Sequence, residues 1–549
     1  MACGPGGRHA CLCRAAGNFA RAPQLLFGGP APMDGVGPPL GCAPCRPIVE
    51  AMNVGLSGKA AAGVLWTTAQ KWAVRLSGFV TIAVLSRLLA PADFGVIAVA
   101  TAVMPLLYLL ADLGFSTYVV QAEKVDQRIL STAFWYSALA GGLLAAALLL
   151  AAPFIGAIFR LPDVVPVLYA LAPVVMLVAL ASVPMAVLKR RLAFRALAVQ
   201  SMAASVVGQM VAVALAVAGA GVWALVWQLL VVQTIVLAWA WLASAWRPTR
   251  HFDRLEFLTM TRFGGNVVGT EIIALSRLWA ETAIVSVVLG PSGLGFLNIA
   301  QRLIQVAQDL TASAIVPVST VVFARIRADV GRLGSGYLRA SEVTYAVIIP
   351  VMVLVSVAAP QIVPILFGGQ WSASVLPAQL LAIAGILSVG ASVDQGLFYG
   401  AGRPGRWFAY ATAIDALTVA ATALLVRFGL PGVCFGFIGV AFVATVVRWL
   451  VTARIIDLSV TEVALPFWRM SLAGALCAST GFLVSSVLEH LGSVPPWAAV
   501  VAIGLAIAAP YVAMVRMLAP RTFAEIATLV RQRLLPLSRR RAQSNEVNA

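Results

Sequence analysis

The sequence predicts an all-α polytopic membrane protein with about fourteen transmembrane helices. Of its residues, 61% are hydrophobic and only 11% are charged, and the mean hydropathy is +0.94. A soluble domain is nearer one half apolar, so that class is excluded. Apolar runs of the length that crosses a bilayer recur along the chain. The basic residues behind a net charge of +17 lie in the connections between these runs, which indicates membrane topology and not a nucleic-acid partner.

The predicted spans form two sets of six, followed by two more. They lie near 64–89, 94–114, 129–154, 164–188, 196–218 and 222–246, then near 263–289, 296–324, 345–359, 373–399, 407–426 and 433–456, and finally near 468–488 and 497–517. The corresponding domain organisation is an N-terminal extension (1–51), an N-terminal six-helix unit (52–257), a C-terminal six-helix unit (258–460), two accessory transmembrane helices (461–518) and a basic cytoplasmic tail (519–549).

The two ends of the chain carry weaker signals. The extension 1–51 is rich in Gly, Pro and Ala and has no continuous apolar core, so it is interpreted as disordered, or as translated upstream DNA with Met52 as the true start. The tail after Arg516 has apolar residues at helical spacing. It is expected to lie on the anionic inner leaflet, with a solvated helix as the alternative.

A short motif repeats at an offset of about 200 residues. Residues 91–95 (PADFG) recur as 291–295 (PSGLG), and both segments follow one long span and open another. The repeat favours two homologous halves, the common architecture of secondary transporters, whose substrate sites lie between the repeats. A coincidental loop pattern is the alternative, because Pro and Gly punctuate most membrane connections.

Charge in the connections predicts the orientation. Alternate connections are basic, among them 189–195, 325–339 and 448–454, while the intervening ones carry few cations. By the positive-inside rule both termini are cytoplasmic, in a multi-pass protein of the cytoplasmic membrane.

Four cations fall inside predicted spans. They are Lys71 and Arg75 in the first span, Arg277 in the seventh and Arg302 in the eighth. A charge that faces lipid costs about 2.5 kcal/mol or more, so these side chains are expected to face a cavity or a partner. Arginine suits a phosphate because its planar fork donates two parallel hydrogen bonds and stays charged. A cavity lined by several cations favours a pyrophosphate.

Carboxylates accompany these cations. Asp112 lies in the second predicted span, Glu271 and Glu281 in the seventh and Asp309 in the eighth, and all four are candidates for ion coupling or charge pairing. Spans one, two, seven and eight are the polar ones, and they are expected to line a central cavity. At the repeat offset Lys71 coincides with Glu271, so a pseudo-twofold axis could bring them together. The alternative for each intramembrane charge, including Asp394 and Asp415, is a structural ion pair or a side chain that reaches the interface from a helix end.

Enzymatic and cofactor signals are lacking in the sequence. The one Gly-Lys pair, Gly58-Lys59, has neither the following Ser or Thr nor the preceding glycine of a P-loop. The cysteine pairs in 11–13 and 42–45 lie in a segment without apolar periodicity, which argues against a metal site. The short outward loops assemble no nucleophile with a base. The chain is therefore expected not to be an enzyme and to use no cofactor or metal.

Four stretches carry a family resemblance: 86–95 (SRLLAPADFG), 188–198 (LKRRLAFRALA), 289–300 (LGPSGLGFLNIA) and 364–371 (PILFGGQW). The sequence resembles, over about residues 55–515, the WzxC-like polysaccharide and lipopolysaccharide flippases of the MOP superfamily. The resemblance implies two six-helix lobes plus two accessory helices, and alternating-access export of a polyprenyl-pyrophosphate-linked oligosaccharide. By their location on the lining helices, Lys71, Arg75, Arg277 and Arg302 would hold the pyrophosphate.

The expected partners are this lipid-linked oligosaccharide and the lipid bilayer, together with glycosyltransferases and a polysaccharide polymerase; the protein itself is expected to be a monomer. Three alternatives stay open: a MATE-type drug or metabolite antiporter with the same fold, a glycan polymerase or ligase, and a scaffold for glycosyltransferases. The polymerase predicts a large outward loop with arginines, which the sequence lacks.

Overall fold

The computed structural model describes residues 74–524 and residue 528, with gaps at 76, 123–124, 328 and 492–493; in helix α8, defined below, parts of 263–321 are described by their backbone alone. The described residues are helical throughout, with short turns and no strand. Lys71 and the predicted segments 1–51 and 529–549 lie outside the described residues.

Fifteen helices follow one another in this part of the chain. They are α1 (Ser77–Leu88), α2 (Pro91–Asp112), α3 (Phe115–Gln121), α4 (Gln127–Ile158), α5 (Val164–Arg190), α6 (Phe194–Val217), α7 (Trp223–Ser244), α8 (Arg254–Ile326), α9 (Val330–Phe367), α10 (Val375–Ser388), α11 (Ala391–Gly400), α12 (Pro404–Leu425), α13 (Gly429–Ile456), α14 (Val460–Leu491) and α15 (Pro496–Leu518).

The helix boundaries follow from local chemistry. Three aspartates cap the helices that follow them: Asp126, Asp253 and Asp329. Each accepts a hydrogen bond from a backbone N–H group of the first turn, at 3.0, 2.9 and 3.0 Å respectively. These bonds satisfy donors that have no partner within the helix. Pro91 occupies the first turn of α2, where its missing N–H is harmless. Gly290, with φ of 73°, divides α8 into α8a (254–289) and α8b (291–326).

Helix packing defines two groups of helices and a shared seam. In the first group α5 packs on α2, α4 and α7, and α6 packs on α7; in the second, α10 packs on α9 and α13, and α12 packs on α13. Helices α14 and α15 pack on each other and on α9. The seam between the two groups runs along α2 and α8, which make the most extensive contact in the structure as described.

The repeated motif lies in that seam. A Cβ added to Gly95 would collide with the carbonyl oxygen of Pro291, and a Cβ added to Gly295 would collide with that of Pro91. The two copies of the repeat therefore touch each other reciprocally, backbone to backbone. We call this side of the bundle the glycine end.

The opposite side, the basic end, is held by arginines from the predicted loop 188–198. Arg190 donates to the carbonyl oxygens of Val119 and Ala122 near the end of α3, and Arg191 Nη1 donates to the carbonyl of Ser244 at 2.7 Å. Cations at helix C-termini satisfy free carbonyls and oppose the helix dipole. This part of the family motif has a structural role.

The membrane class and the helical fold are confirmed. Eleven helical segments of the described residues are long and apolar enough to cross a bilayer. The described part of α1 is short, and α12 and α13 run together through a single helical turn as one segment, 404–456. The number fourteen and the domain boundaries stay predictions.

Candidate substrate-binding cavity

A cavity of about 680 Å³ opens among α8, α10, α12 and α13. Its polar lining is rich in long side chains, namely Arg277, Glu281, Gln301, Gln305, Gln308, Tyr410, Asp415 and Arg448. The rest of the wall is mostly apolar, with Trp407, Ile414 and Phe437 among its members. A mixed lining with a few convergent charges is typical of a ligand site.

Arg277 is a charged residue of this cavity's wall. It lies thirteen residues before Gly290 on α8a, which places it about 20 Å from the glycine end. Its Nη1 donates to Glu281 Oε2 at 3.0 Å, one turn along the same helix, and its Nε donates to Asp415 Oδ1 at 2.9 Å on α12. The guanidinium thus joins two helices. Its side chain is still 37% exposed, so one edge of the fork faces the cavity.

Glu281 is the more enclosed carboxylate of the pair. It is 8% exposed and also accepts a hydrogen bond from Gln301 Nε2 at 3.0 Å, so it ties α8a to α8b. Glu281 and Gln301 also line a second cavity of about 140 Å³, whose other wall is formed by Ala98, Thr101 and Ala102 of α2. The charged cluster therefore borders the seam between the two groups of helices.

A second ion pair closes the wall toward the basic end. Arg448 Nη1 lies 3.1 Å from Asp394 Oδ2, and both side chains are almost completely buried. Tyr337 and Thr452 donate to Asp394 Oδ1 at 2.7 and 3.0 Å, and Arg448 Nη2 donates to the carbonyl of Leu387 at 3.0 Å. Such hydrogen bonds help to stabilise a buried charge pair, although within the described residues Arg448 Nε has no hydrogen-bond partner. The structural interpretation of Asp394 agrees with this geometry.

The glycine end is covered by the loop that carries the PILFGGQW stretch. Trp371 is fully buried and its Nε1 donates to the carbonyl of Ser86 at 2.8 Å. Its ring meets those of Phe94 and Phe296 edge to face, at 5.2 and 5.8 Å. Gln370 and Arg87 add further hydrogen bonds between this loop and the end of α1. Through Phe94 and Phe296, the loop therefore packs against both copies of the repeat.

The other predicted site residues lie apart from this cluster. Arg75 is half-buried just before α1, Arg302 is exposed on α8b, and Glu271 is exposed on α8a. Ser116 donates hydrogen bonds to Asp112. The shortest runs from Ser116 Oγ to Asp112 Oδ2 at 2.6 Å and joins α2 to α3. Lys71 and the side chain of Asp309 lie outside the described residues. Of the eight predicted residues, the structure brings together Arg277 and Glu281.

The interpretation of Arg448 was wrong. The charge pattern places it with Arg454 in a basic connection, although the predicted span 433–456 contains both residues. In the structure Arg448 lies in α13 and is fully buried at the cavity wall. Asp415 is the other charged residue of the cavity that the sequence analysis did not select as a site residue. The available signal was a single cation and a single carboxylate inside apolar runs on separate helices, and their partners are set only by tertiary packing.

The comparisons with known proteins agree on the family. The family model described as polysaccharide biosynthesis protein matches residues 84–376, more than half of the chain. The chain is 27% identical over 324 residues to the succinoglycan biosynthesis transport protein ExoT of Rhizobium meliloti (strain 1021), covering 59% of this chain and 66% of that protein. It is 22% identical over 423 residues to the lipopolysaccharide biosynthesis protein WzxC of Escherichia coli (strain K12), covering 75% and 85%.

Solved structures show the same fold at low identity. Lipid II flippase MurJ in an inward closed conformation has a TM-score of 0.66 at 13% identity, covering 83% of this chain and 98% of that one. An inward-facing multidrug resistance MATE family transporter of the MOP superfamily has a TM-score of 0.58 at 17% identity, covering 70% and 94%. These likenesses show the fold alone: the chain is a multi-pass helical membrane protein built like these transporters. The chain belongs to the polysaccharide biosynthesis protein family, which confirms the resemblance seen in its sequence.

Proposed function

We propose that the protein is a flippase that carries a polyprenyl-pyrophosphate-linked oligosaccharide across the cytoplasmic membrane. Family membership supports the substrate class, and so do the names of the relatives, which refer to succinoglycan biosynthesis transport and to lipopolysaccharide biosynthesis. The single observation that carries the site assignment is Arg277, a guanidinium inside the cavity with one edge exposed. An arginine in that position can bind a pyrophosphate while the polyprenyl chain stays in lipid.

In the empty cavity two carboxylates already occupy the guanidinium that would bind the pyrophosphate. Arg277 is paired with two carboxylates, Glu281 and Asp415, so with both ionised the three side chains carry one net negative charge in the empty cavity. A bidentate phosphate makes shorter and stronger charge-assisted bonds than a single carboxylate contact. The incoming pyrophosphate replaces Asp415, the more exposed partner at 29%, and thereby releases α12 from α8a. Loss of that connection allows the second group of helices to change shape.

Alternating access follows from where the structure is closed. The glycine end is sealed by the seam at Gly95 and by the Trp371 loop. The basic end is the cytoplasmic side in this proposal, with both termini there, because arginines concentrate at it. Substrate enters from that side, and the two groups of helices rock about the seam to open the glycine end.

The remaining predicted residues take secondary roles in this proposal. Lys71, Arg75 and Arg302 are proposed as further cations for the pyrophosphate, and a proton or sodium gradient acts through Glu281 or Asp112. Glu271 and Asp309 are retained as charge-pairing positions. Glycosyltransferases and a polymerase supply and consume the substrate as separate proteins.

Export by cells that lack their own copy of the protein tests the assignment. The Arg277→Gln variant should abolish surface polysaccharide while membrane expression is unchanged. The matched control is Arg427→Gln, because Arg427 stacks on Phe428 outside the cavity, 5.1 Å from the ring centroid. Wild-type export by Arg277→Gln would contradict the proposal, and so would equal loss in both variants.

A cation antiporter is the second candidate, and the enclosed Glu281 beside Asp415 is the observation that favours it. A carboxylate pair of this kind suits a lipophilic cation once Arg277 turns away. Energised vesicles that expel cationic dyes, with activity lost in Glu281→Gln and kept in Arg277→Gln, would select this candidate over the flippase.

A further inference from the structure

We infer that the pocket lined by α9, α14 and the helical segment 520–524 at the basic end binds the headgroup of an anionic phospholipid. This pocket is separate from the substrate cavity, whose walls are α8 and α10 to α13. The inference does not depend on the proposed function.

Arginines converge on this pocket from three segments of the chain. Its volume is about 850 Å³. Arg332 and Arg339 come from α9, Arg469 from α14 and Arg521 from the segment after α15. Residues so far apart in sequence form one basic concavity because α9, α14 and α15 pack on one another.

The two carboxylates in the lining already have partners of another kind. Glu342 accepts from Thr522 Oγ1 at 2.9 Å, which fixes segment 520–524 to α9. Glu462 accepts from the Oγ and N of Ser459 at 2.7 and 2.9 Å, as part of the start of α14. Within the described residues, no ion pair joins Arg332, Arg469 or Arg521 to either carboxylate. Among the described lining residues four arginines outnumber two glutamates, so this part of the pocket is net positive and suits an anion.

The lining is amphipathic, which points to a lipid. Leu338, Leu465 and Pro466 form an apolar wall beside the arginines. The apolar surface continues along α14, where Leu465, Leu472 and Leu476 are 42, 60 and 51% exposed at helical spacing. A phosphate bound to the arginines would let acyl chains lie along this face. A soluble phosphate would gain nothing from it.

The depth of the pocket fits a headgroup. Arg469 follows the start of α14 by nine residues, or about 13 Å, and its long side chain can reach toward the interface. Its neighbour Trp468 is 57% exposed, and tryptophan concentrates at membrane–water interfaces. Basic pockets between transmembrane helices at this level bind anionic headgroups.

Native mass spectrometry of the purified full chain in neutral detergent tests the inference. Phosphatidylglycerol and phosphatidylcholine are titrated separately into the wild type, the single variant Arg469→Gln and the triple variant Arg332→Gln/Arg469→Gln/Arg521→Gln. The matched control is Arg403→Gln/Arg406→Gln/Arg454→Gln, which removes three exposed arginines outside the pocket.

The wild type should retain phosphatidylglycerol and prefer it to phosphatidylcholine. Affinity should fall about fivefold in the single variant and about a hundredfold in the triple variant, at about fivefold per arginine, with the control within about twofold of wild type. Equal phosphatidylglycerol binding by the single variant and wild type would overturn the inference. Equal binding of the two lipids, or displacement by millimolar inorganic phosphate or by undecaprenyl phosphate, would overturn it too.

Discussion

Gly95 and Gly295 occupy equivalent places in the seam, each against the carbonyl oxygen of the proline four residues before the other. Such a reciprocal contact is what a duplicated segment produces across a pseudo-twofold axis. It also explains why both positions are glycine, because any Cβ would push the two backbones apart. The glycine end is thereby closed by main-chain contact as well as by the Trp371 side chain.

The seam predicts a specific intolerance to a single methyl group. Gly95→Ala and Gly295→Ala should each lower the free energy of unfolding by about 1–3 kcal/mol, because the obstructing atom is a backbone carbonyl that cannot rotate away. Thermal unfolding in detergent measures the loss. The control is Gly142→Ala on α4, where an added Cβ meets nothing within 4 Å. That change should be neutral or stabilising by about 0.5–1 kcal/mol. Equal effects at Gly95 and Gly142 would show that the seam is not tight.

Removing one partner of the buried ion pair should lower the free energy of unfolding more than removing both partners. Arg448→Met leaves Asp394 charged and enclosed, and should destabilise the protein by about 3–5 kcal/mol. Adding Asp394→Leu should restore much of that loss, since the uncompensated charge is then gone. Arg454→Met, an exposed arginine on the same helix, serves as the control and should change stability by less than about 0.5 kcal/mol. Additive effects in the double variant would argue against a coupled pair.

The Trp371 loop predicts a graded opening of the glycine end. Trp371→Phe removes the hydrogen bond to Ser86 but keeps an aromatic ring, and should cost about 0.5–1.5 kcal/mol. Trp371→Ala should cost about 3–5 kcal/mol. It should also expose Ser86→Cys to a membrane-impermeant maleimide, whereas that cysteine stays unlabelled when Trp371 is present. Trp468→Ala, at a 57% exposed tryptophan, should leave labelling unchanged. Equal labelling of Ser86→Cys with and without Trp371 would show that Trp371 does not close the glycine end.

The displacement of Asp415 predicts a gain in binding. Asp415→Asn removes one of the two carboxylates that occupy Arg277, so the apparent Kd for a pyrophosphate-linked lipid should fall about five- to tenfold. Asp415→Glu keeps the charge and should bind like the wild type. Binding of a fluorescent substrate to the detergent-solubilised protein measures both. Weaker binding by the Asn variant would mean that Asp415 contacts the substrate itself and does not compete with it for Arg277.

Much of the fold could be predicted from the sequence because bilayer length and hydropathy constrain each helix separately. The boundaries of α2, α5 and α15 differ from the predicted spans by only a few residues. Arg277 and Glu281 lie four residues apart in the seventh predicted span, a spacing that places them on one helix face, and the structure joins them at 3.0 Å. These features are local, so they do not depend on how the helices pack.

The rest required tertiary contacts. Asp415 and Arg448 face the cavity because α12 and α13 pack against α8 and α10, and hydropathy carries no information on that direction. Arg448 was assigned to a connection because the positive-inside rule counts any cation near the end of a span. Asp394, more than fifty residues earlier in the sequence, is the buried carboxylate that pairs with Arg448 and so keeps the Arg448 side chain inside the protein.

Translocation in proteoliposomes tests the central claim most directly. Wild type, Arg277→Gln and Arg427→Gln are reconstituted with a fluorescent polyprenyl-pyrophosphate oligosaccharide, and the fraction that becomes accessible to a glycosidase outside the vesicles is followed over time. The account predicts flipping by the wild type and the Arg427 variant, and a rate at the protein-free background for the Arg277 variant. Wild-type flipping by Arg277→Gln, or no flipping by the wild type, would contradict it.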